Sequence, residues 1–185
     1  MLTPTQHVTL KAAILADPVL AGQTPNSDGD SFVAAALNLQ ASPAFNVWAT
    51  GVPSQVVFDA ITWANLTPAD VPDTSQLWAN RSLACQGKQF NLQTMLLGQA
   101  TINGAKVNVR AGLQDALTGI PSGVNGAPKN GGWSAVQVAL SRTATRAEKI
   151  LADTSAGTGA TAPTSAPLTF EGQLSYQDVE AARLS

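Results

Sequence analysis

The chain has 185 residues, of which 44% are hydrophobic and only 12% charged, with a formal net charge of −2. Soluble domains ordinarily carry about 25% charged residues, so the polar surface here is mostly neutral. The weak negative charge excludes a nucleic-acid binder that works through a strong basic field. The single Cys85 excludes a disulfide scaffold and a cysteine-based zinc cluster, and the single His7 excludes any metal or triad arrangement that needs two histidines.

The first six residues hold no basic stretch leading into an apolar run, so no secretory signal is expected. No segment approaches the roughly 18 uninterrupted apolar residues of a membrane span. The expectation is a cytosolic chain at synthesis, with no membrane partner.

Thr3 fits the N-cap of a first helix, with Pro4 at its first position and Gln6 as capping-box partner. Val8, Lys11, Ala12 and Leu15 fall at helical spacing, and Leu10 and Ile14 widen the apolar stripe. Asp17-Pro18 ends the helix, because a residue before proline avoids the helical region. After a loop through Gln23-Thr24-Pro25-Asn26, Ser27 or Asp28 caps a second helix over 30–40, whose face is Phe32, Ala35, Ala36 and Leu39. Residues 43–52 alternate, with Phe45, Val47 and Ala49 to one side, and read as a short strand or an extended connector.

Pro53 opens a short helix carrying Val56, Val57, Phe58 and Ile61, while Pro68 and Pro72 exclude a regular helix over 64–73. Asp73 and Gln76 form the capping pair of the next helix, with a stripe of Trp78, Cys85, Leu92 and Leu96 flanked by Ser82 and Gln89. A kink or break is expected at Gly87, since glycine there costs about 1 kcal/mol relative to alanine. Asn103-Gly104 reads as a turn, Asn108 caps a helix with Val109, Leu113, Ala116 and Leu117, and Gly119 ends it.

A loop over 119–132, rich in Gly, Pro and Asn, reads as mobile or ordered by a partner. The longest predicted helix follows at 133–152. It buries Trp133, Val136, Leu140, Ala144, Ala147 and Leu151, with Arg142, Arg146 and Lys149 together on its other face. Residues 153–167 contain no large apolar side chain and read as a flexible linker. Beyond them 168–172 alternates like a strand, and Ser175 with Asp178 caps a last helix through Leu184. The expected fold is mainly α: a helical bundle core over 1–152, the linker 153–167, and an extended C-terminal docking arm over 168–185.

Charge partitions along the chain, −5 over 1–80, +6 over 81–149 and −3 over 150–185. An acidic arm beside a basic middle favours docking of one on the other, although solvated faces give the same pattern. Side-chain chemistry is sparse. The glycines and Lys129 of 123–132 lack the Gly-Lys-Ser/Thr of a phosphate loop and read as a surface loop. His7 lies in the first turn of a helix, with no Gly-x-Ser-x-Gly elbow in the chain, and Cys85 reads as a buried structural thiol. Asp28 and Asp30 resemble the start of a calcium loop, but Leu39 stands where its final glutamate is needed. Trp48, Trp63, Trp78 and Trp133 are too scattered for a stacking platform. Arg142, Arg146 and Lys149 read either as a face for nucleic acid or an acidic partner, or as a solvated helix face with Glu148. No catalytic, cofactor-binding or metal residue is assigned.

Several segments resemble, as a set, a family of small structural proteins of tailed bacteriophages and prophages. They are Leu2-Thr3-Pro4 with its helix to Asp17-Pro18, Phe45-Asn46-Val47-Trp48, and Asn108-Val109-Arg110-Ala111-Gly112-Leu113-Gln114-Asp115. Ala144-Thr145-Arg146-Ala147-Glu148-Lys149, Leu168-Thr169-Phe170-Glu171-Gly172 and Tyr176-Gln177-Asp178-Val179-Glu180-Ala181-Ala182-Arg183 complete the set. A helical core with a C-terminal arm is similar to head–tail adaptors, a fold-level analogy. The resemblance implies a virion protein of the neck, forming a ring between the portal protein and the tail nozzle or tube, in twelve copies to match the portal. Leu168, Phe170 and Tyr176 are then the arm's anchors, with Glu180 and Arg183 at the rim. The alternatives are a minor capsid or tail protein and, further off, a phage enzyme, for which no positioned acid pair stands out.

Overall fold

The structure, a computed structural model, describes residues 2–67, 76–122 and 127–185, with the backbone alone at 76–78. Among these the protein is mainly helical. In chain order the elements are α1 (Pro4–Ala16), α2 (Pro18–Ala21), α3 (Ser27–Asn38), β1 (Asn46–Trp48), β2 (Val52–Pro53), α4 (Ser54–Ala60), α5 (Gln76–Leu96) and β3 (Thr101–Ile102). They continue as α6 (Val107–Leu117), α7 (Trp133–Ala139), β4 (Ser141–Thr143), α8 (Arg146–Leu151) and α9 (Tyr176–Leu184). The chain divides into two compact units, one of residues 1–48 with 142–185 and the other of 49–141. The expected division into 1–152, 153–167 and 168–185 is therefore not the one found.

In the first unit α1 starts as its sequence dictates. Thr3 Oγ1 accepts from Gln6 N–H at 3.3 Å, and Gln6 Oε1 accepts from Thr3 N–H at 2.8 Å. Asp17 ends α1 and, through its carboxylate, caps the short α2. Asn26 caps α3, one residue before the two candidates named from sequence, its Oδ1 accepting from Gly29 N–H at 2.9 Å. Gly29 is required there, because a Cβ would lie 2.0 Å from the Thr24 carbonyl oxygen. The core joins Leu10 and Ile14 of α1, Val33 and Leu37 of α3, Leu151 of α8, and Leu174, Val179 and Ala182 at the far end of the chain. The faces assigned from spacing are thereby corrected: Val8 and Leu15, and Phe32 and Leu39, are exposed. Both helices carry apolar residues on two sides, so periodicity finds the stripes without saying which one the chain covers.

The single helix expected over 133–152 is broken. α7 stops at Ala139, residues 141–143 form β4 beside β1, and α8 begins at Arg146. Ala144 N–H donates to Phe45 O at 2.8 Å, and Ala41 N–H donates to Ala144 O at 3.0 Å. Thr145 then starts α8 with a capping box, its Oγ1 accepting from Glu148 N–H at 3.2 Å while Glu148 Oε2 accepts from Thr145 N–H at 2.9 Å. Ser141, Thr143 and Thr145 favour the extended backbone and the cap over a continuous helix.

Residues 153–167 are not a free linker. Ala166 lies beside β1, accepting from Trp48 N–H at 3.2 Å and donating to Asn46 O at 3.0 Å, and it is buried with Phe45, Val47 and Ala144. Gly159, at φ +67°, sits where a Cβ would come within 2.3 Å of the Phe45 ring. The strand expected over 168–172 is absent as well; side-chain bonds to distant segments hold it instead of a ladder: Thr169 Oγ1 donates to Leu151 O, and Gln6 Nε2 donates to Thr169 O at 2.9 Å. Ser175 caps α9 as expected.

In the second unit β2 and β3 pair antiparallel, Val52 opposite Ile102 and Pro53 opposite Thr101. Val57, Leu66, Cys85, Leu92, Leu113, Leu117, Ile120, Val136 and Leu140 are buried. α5 runs unbroken through Gly87, which has open space where a side chain would stand. Its Cys85 and Leu92 are buried as expected, whereas Trp78, the Asp73–Gln76 capping pair and Pro68 and Pro72 fall outside the described side chains. α6 starts at Val107 with Lys106 at its N-cap position, two residues earlier than the Asn108 cap expected. The loop 119–132 is tied where it is described: Ile120 and Lys129 exchange backbone bonds at 3.2 and 2.8 Å, and Asn130 Oδ1 accepts from Gly132 and Trp133 N–H to cap α7. Residues 123–126 of that loop lie outside the described residues.

Candidate functional site

Arg142, Arg146 and Lys149 do not form one free basic face. Arg142 makes a two-pronged contact to Glu148, both N···O distances 2.7 Å, and reaches Glu171 at 3.2 Å. Arg146 pairs with Asp17 at 2.7 Å. Lys149 Nζ lies 3.4 Å from Pro43 O and 5.8 Å from the centre of the Phe45 ring. Two of the three cations are thus engaged with carboxylates of their own unit, because the break before α8 places Arg142 on β4 rather than on the helix. Glu148 is 2% exposed. Burial pushes its carboxyl up, but the Arg142 guanidinium and the Thr145 N–H outweigh it and hold the group below its ordinary 4.5. The same pair raises the Arg142 pKa. The hydrogen bond from Arg146 lowers that of Asp17.

The arm residues divide between an inner and an outer face. Leu168 and Phe170 are half-buried, packed against the two cores of the first unit. Arg183, expected at a partner's rim, turns inward: its Nε lies 3.1 Å from buried Asp30, and its terminal nitrogen donates to Gln23 O at 3.0 Å. Val179 and Ala182 sit in the core, and Asn38 clamps the segment by accepting from Leu174 N–H at 2.8 Å and donating to Leu174 O at 2.9 Å. What remains outside is a row at four-residue steps, Tyr176, Glu180 and Leu184, the last 82% exposed. Of the three predicted anchors only Tyr176 is exposed, and of the two rim residues only Glu180.

Asp17, Asp30, Asn38 and Glu148, which hold the arm and its neighbours, were missed from sequence. Thr145-x-x-Glu148 is a readable capping signal that would have found one of them. Asn38 and Leu174 lie 136 residues apart, and nothing local announces their contact.

Exposed apolar rows recur on other helices. α5 presents Leu83 and Phe90, each 68% exposed, with Leu97 just past its end at 72%, and α3 presents Phe32, with Leu39 just past its end in extended backbone. In the second unit a cleft of about 270 Å³ is lined by Phe58, Trp63, Leu96 and Leu97 with Gln55 and Gln93. Its walls carry amides and aromatic rings but no ionisable group. Phe58 and Trp63 stack at 4.5 Å between ring centres, and the Trp63 indole N–H donates to Phe58 O at 3.0 Å. Among the described residues no group of three or more His, Cys, Asp or Glu is placed to hold a metal ion, and no helix is long and apolar enough to cross a membrane. The chain's prominent surface feature is thus a set of uncovered apolar helix faces, a feature of association surfaces. Comparison with protein-family models, with curated proteins and with solved structures returns no match for this chain.

Proposed function

We propose that this chain is a structural subunit of a tailed-phage virion, a head–tail adaptor that assembles as a ring between portal and tail. The observation that carries the reading is the pairing of few charges with helices apolar on two sides. α1, α3 and α5 each bury one face and leave large apolar side chains to solvent on another: Val8 and Leu15, Phe32, and Leu83 and Phe90, with Leu39 and Leu97 exposed just past the ends of α3 and α5. Such faces suit a subunit whose neighbours cover it, since the cores of protein interfaces are poor in charge and rich in large apolar groups. Placement at the neck rests on the resemblance of the segments quoted above.

The arm takes a modified role in this proposal. Its inner face belongs to the subunit's own core, so it docks as a folded helix through Tyr176, Glu180 and Leu184 rather than as an extended strap. Reconstruction of the virion tests the assignment: density for the chain is expected in a ring beneath the portal, and density on the capsid lattice or along the tail tube overturns it. Tyr176→Ser with Leu184→Ser, both exposed, should leave folding intact and lower incorporation into particles at least several-fold, each lost contact being worth about 1–2 kcal/mol.

A further inference from the structure

The groove that holds α9 is built from the other end of the chain. α9 packs on α1 and α3, and Leu174, Val179 and Ala182 join Leu10, Ile14, Val33 and Leu37 in one core. The polar ties reach the same stretch: Asn38 meets Leu174 twice, Arg183 meets Gln23 O and Asp30, and Lys11 donates to Ser185 O. A second copy therefore presents the same groove to the same helix. The tether between groove and helix is short. Thr169 is tied to Leu151 and Gln6, and Glu171 to Arg142 at 3.2 Å, so the chain is anchored up to residue 171. Leu174 begins the docked arm, which leaves Gly172 and Gln173 between the two. Gly172 turns the chain at φ +123°, with open space where a Cβ would stand and a long bond of 3.4 Å from its N–H to Glu148. Closure within one copy is also imperfect. Arg183 Nε lies 3.1 Å from Asp30 Oδ1 but out of line for a hydrogen bond. Asp30 Oδ1, Arg183 Nε and Arg183 Nη2 are all buried without a hydrogen-bond partner, where buried polar atoms are ordinarily satisfied. A two-residue tether bent at Gly172 restricts where α9 can settle.

We propose that α9 of one copy of this chain seats on the α1–α3 groove of a second copy, with Gly172 as the hinge of the exchange. The closed form described above is that of the separate copy. Exchange replaces each contact of α9 by the same contact between copies, and straightening the bend frees α9 to bring Arg183 into line with Asp30. Short hinges under strain favour such swaps. Passing each arm to the next copy closes a ring or extends a filament, and returning it makes a two-fold pair. Tyr176, Glu180 and Leu184 lie on the outer side of α9 in either form. The inference rests on the reading of the chain as a self-assembling subunit, but not on where in the virion it sits.

Gly172→Val tests the hinge. A β-branched residue does not hold φ +123° without strain, whereas an extended hinge accepts it. Light scattering on the full chain, refolded from urea at matched concentration, should therefore show the fraction in dimers or larger species rise several-fold over the wild type. A variant that melts lower yet stays monomeric overturns the proposal. A second pair of variants reads the exchange itself. Val33→Asp spoils the groove and leaves α9 intact, while Val179→Asp spoils α9 and leaves the groove intact. Each alone should lose cooperative melting of the first unit by circular dichroism. Refolded together, they should regain it in a mixed species, because the intact α9 of one seats on the intact groove of the other. Melting that stays uncooperative after mixing overturns the proposal. A virion reconstruction that places the chain outside the neck overturns the adaptor alone and leaves regained melting standing.

Discussion

Glu148 concentrates more of the first unit's polar chemistry than any other residue. Its two oxygens meet Arg142 twice at 2.7 Å and Thr145 N–H at 2.9 Å, with Gly172 N–H at 3.4 Å. Glu148→Gln keeps the shape, removes the charge and leaves Arg142 with Glu171 alone. The expected loss is about 2–3 kcal/mol, below the full cost of breaking a buried pair because Arg142 is partly in water, and it is read as a lower urea midpoint. The pH dependence follows from the direction of the shift. A carboxyl held below 4.5 when folded contributes its full stability above that value, and the contribution fades as pH falls through the lower folded value. Asp17, lowered from 3.8 by Arg146, adds to the same acid limb. Urea midpoints followed from about pH 6 to about pH 3 should therefore fall in the wild type and fall less steeply in Glu148→Gln. Gly159→Ala tests a steric point instead. The new methyl would meet the Phe45 ring at a backbone angle few L-residues adopt, and a loss of about 2 kcal/mol should lower the melting temperature by about 4–8 °C.

At the scale of elements, the ends of helices were legible and their orientation was not. Thr3 with Gln6 and Ser175 with Asp178 are local chemical signals, and each caps the helix its spacing announces. Which side of α1 or α3 is covered depends on α9, more than a hundred residues away, and both sides are apolar enough to qualify. The break at 140–145 had a local signal in Thr145 and Glu148 that the longer apolar stripe of 133–152 overrode. Thr145→Ala should cost about 1 kcal/mol in equilibrium unfolding, the usual value of a lost N-cap, and free the Glu148 backbone N–H. Val179→Ala removes two methyls from the core between α1, α3 and α9 and should cost about 1–3 kcal/mol by the same measurement.

For the molecule as a whole, the two-unit division was the least legible feature. Gly- and Thr-rich composition over 153–167 has the character of a linker, yet its small residues are what allow close packing beside β1 and Phe45. Small residues mark flexibility only where nothing packs on them. Deletion of 168–185 is therefore expected to do more than sever a docking arm. It strips Leu174, Val179 and Ala182 from the core and leaves Asp30 without Arg183, so circular dichroism of the shortened chain should show loss of cooperative melting in the first unit rather than a folded protein that merely binds less.

The interleaving of the first unit also fixes an order of events during synthesis. Residues 49–141 are contiguous and can fold while the chain is still growing, whereas residues 1–48 must wait for α9 to emerge. At about 5–20 residues per second that wait is on the order of ten seconds. Throughout it Leu10, Ile14, Val33 and Leu37 lack the partners that will cover them, a target for holding chaperones. A nascent chain interrupted before α9 keeps that surface open. Closure of the first unit's core therefore waits on the synthesis of α9, whichever of α1 and α3 forms first.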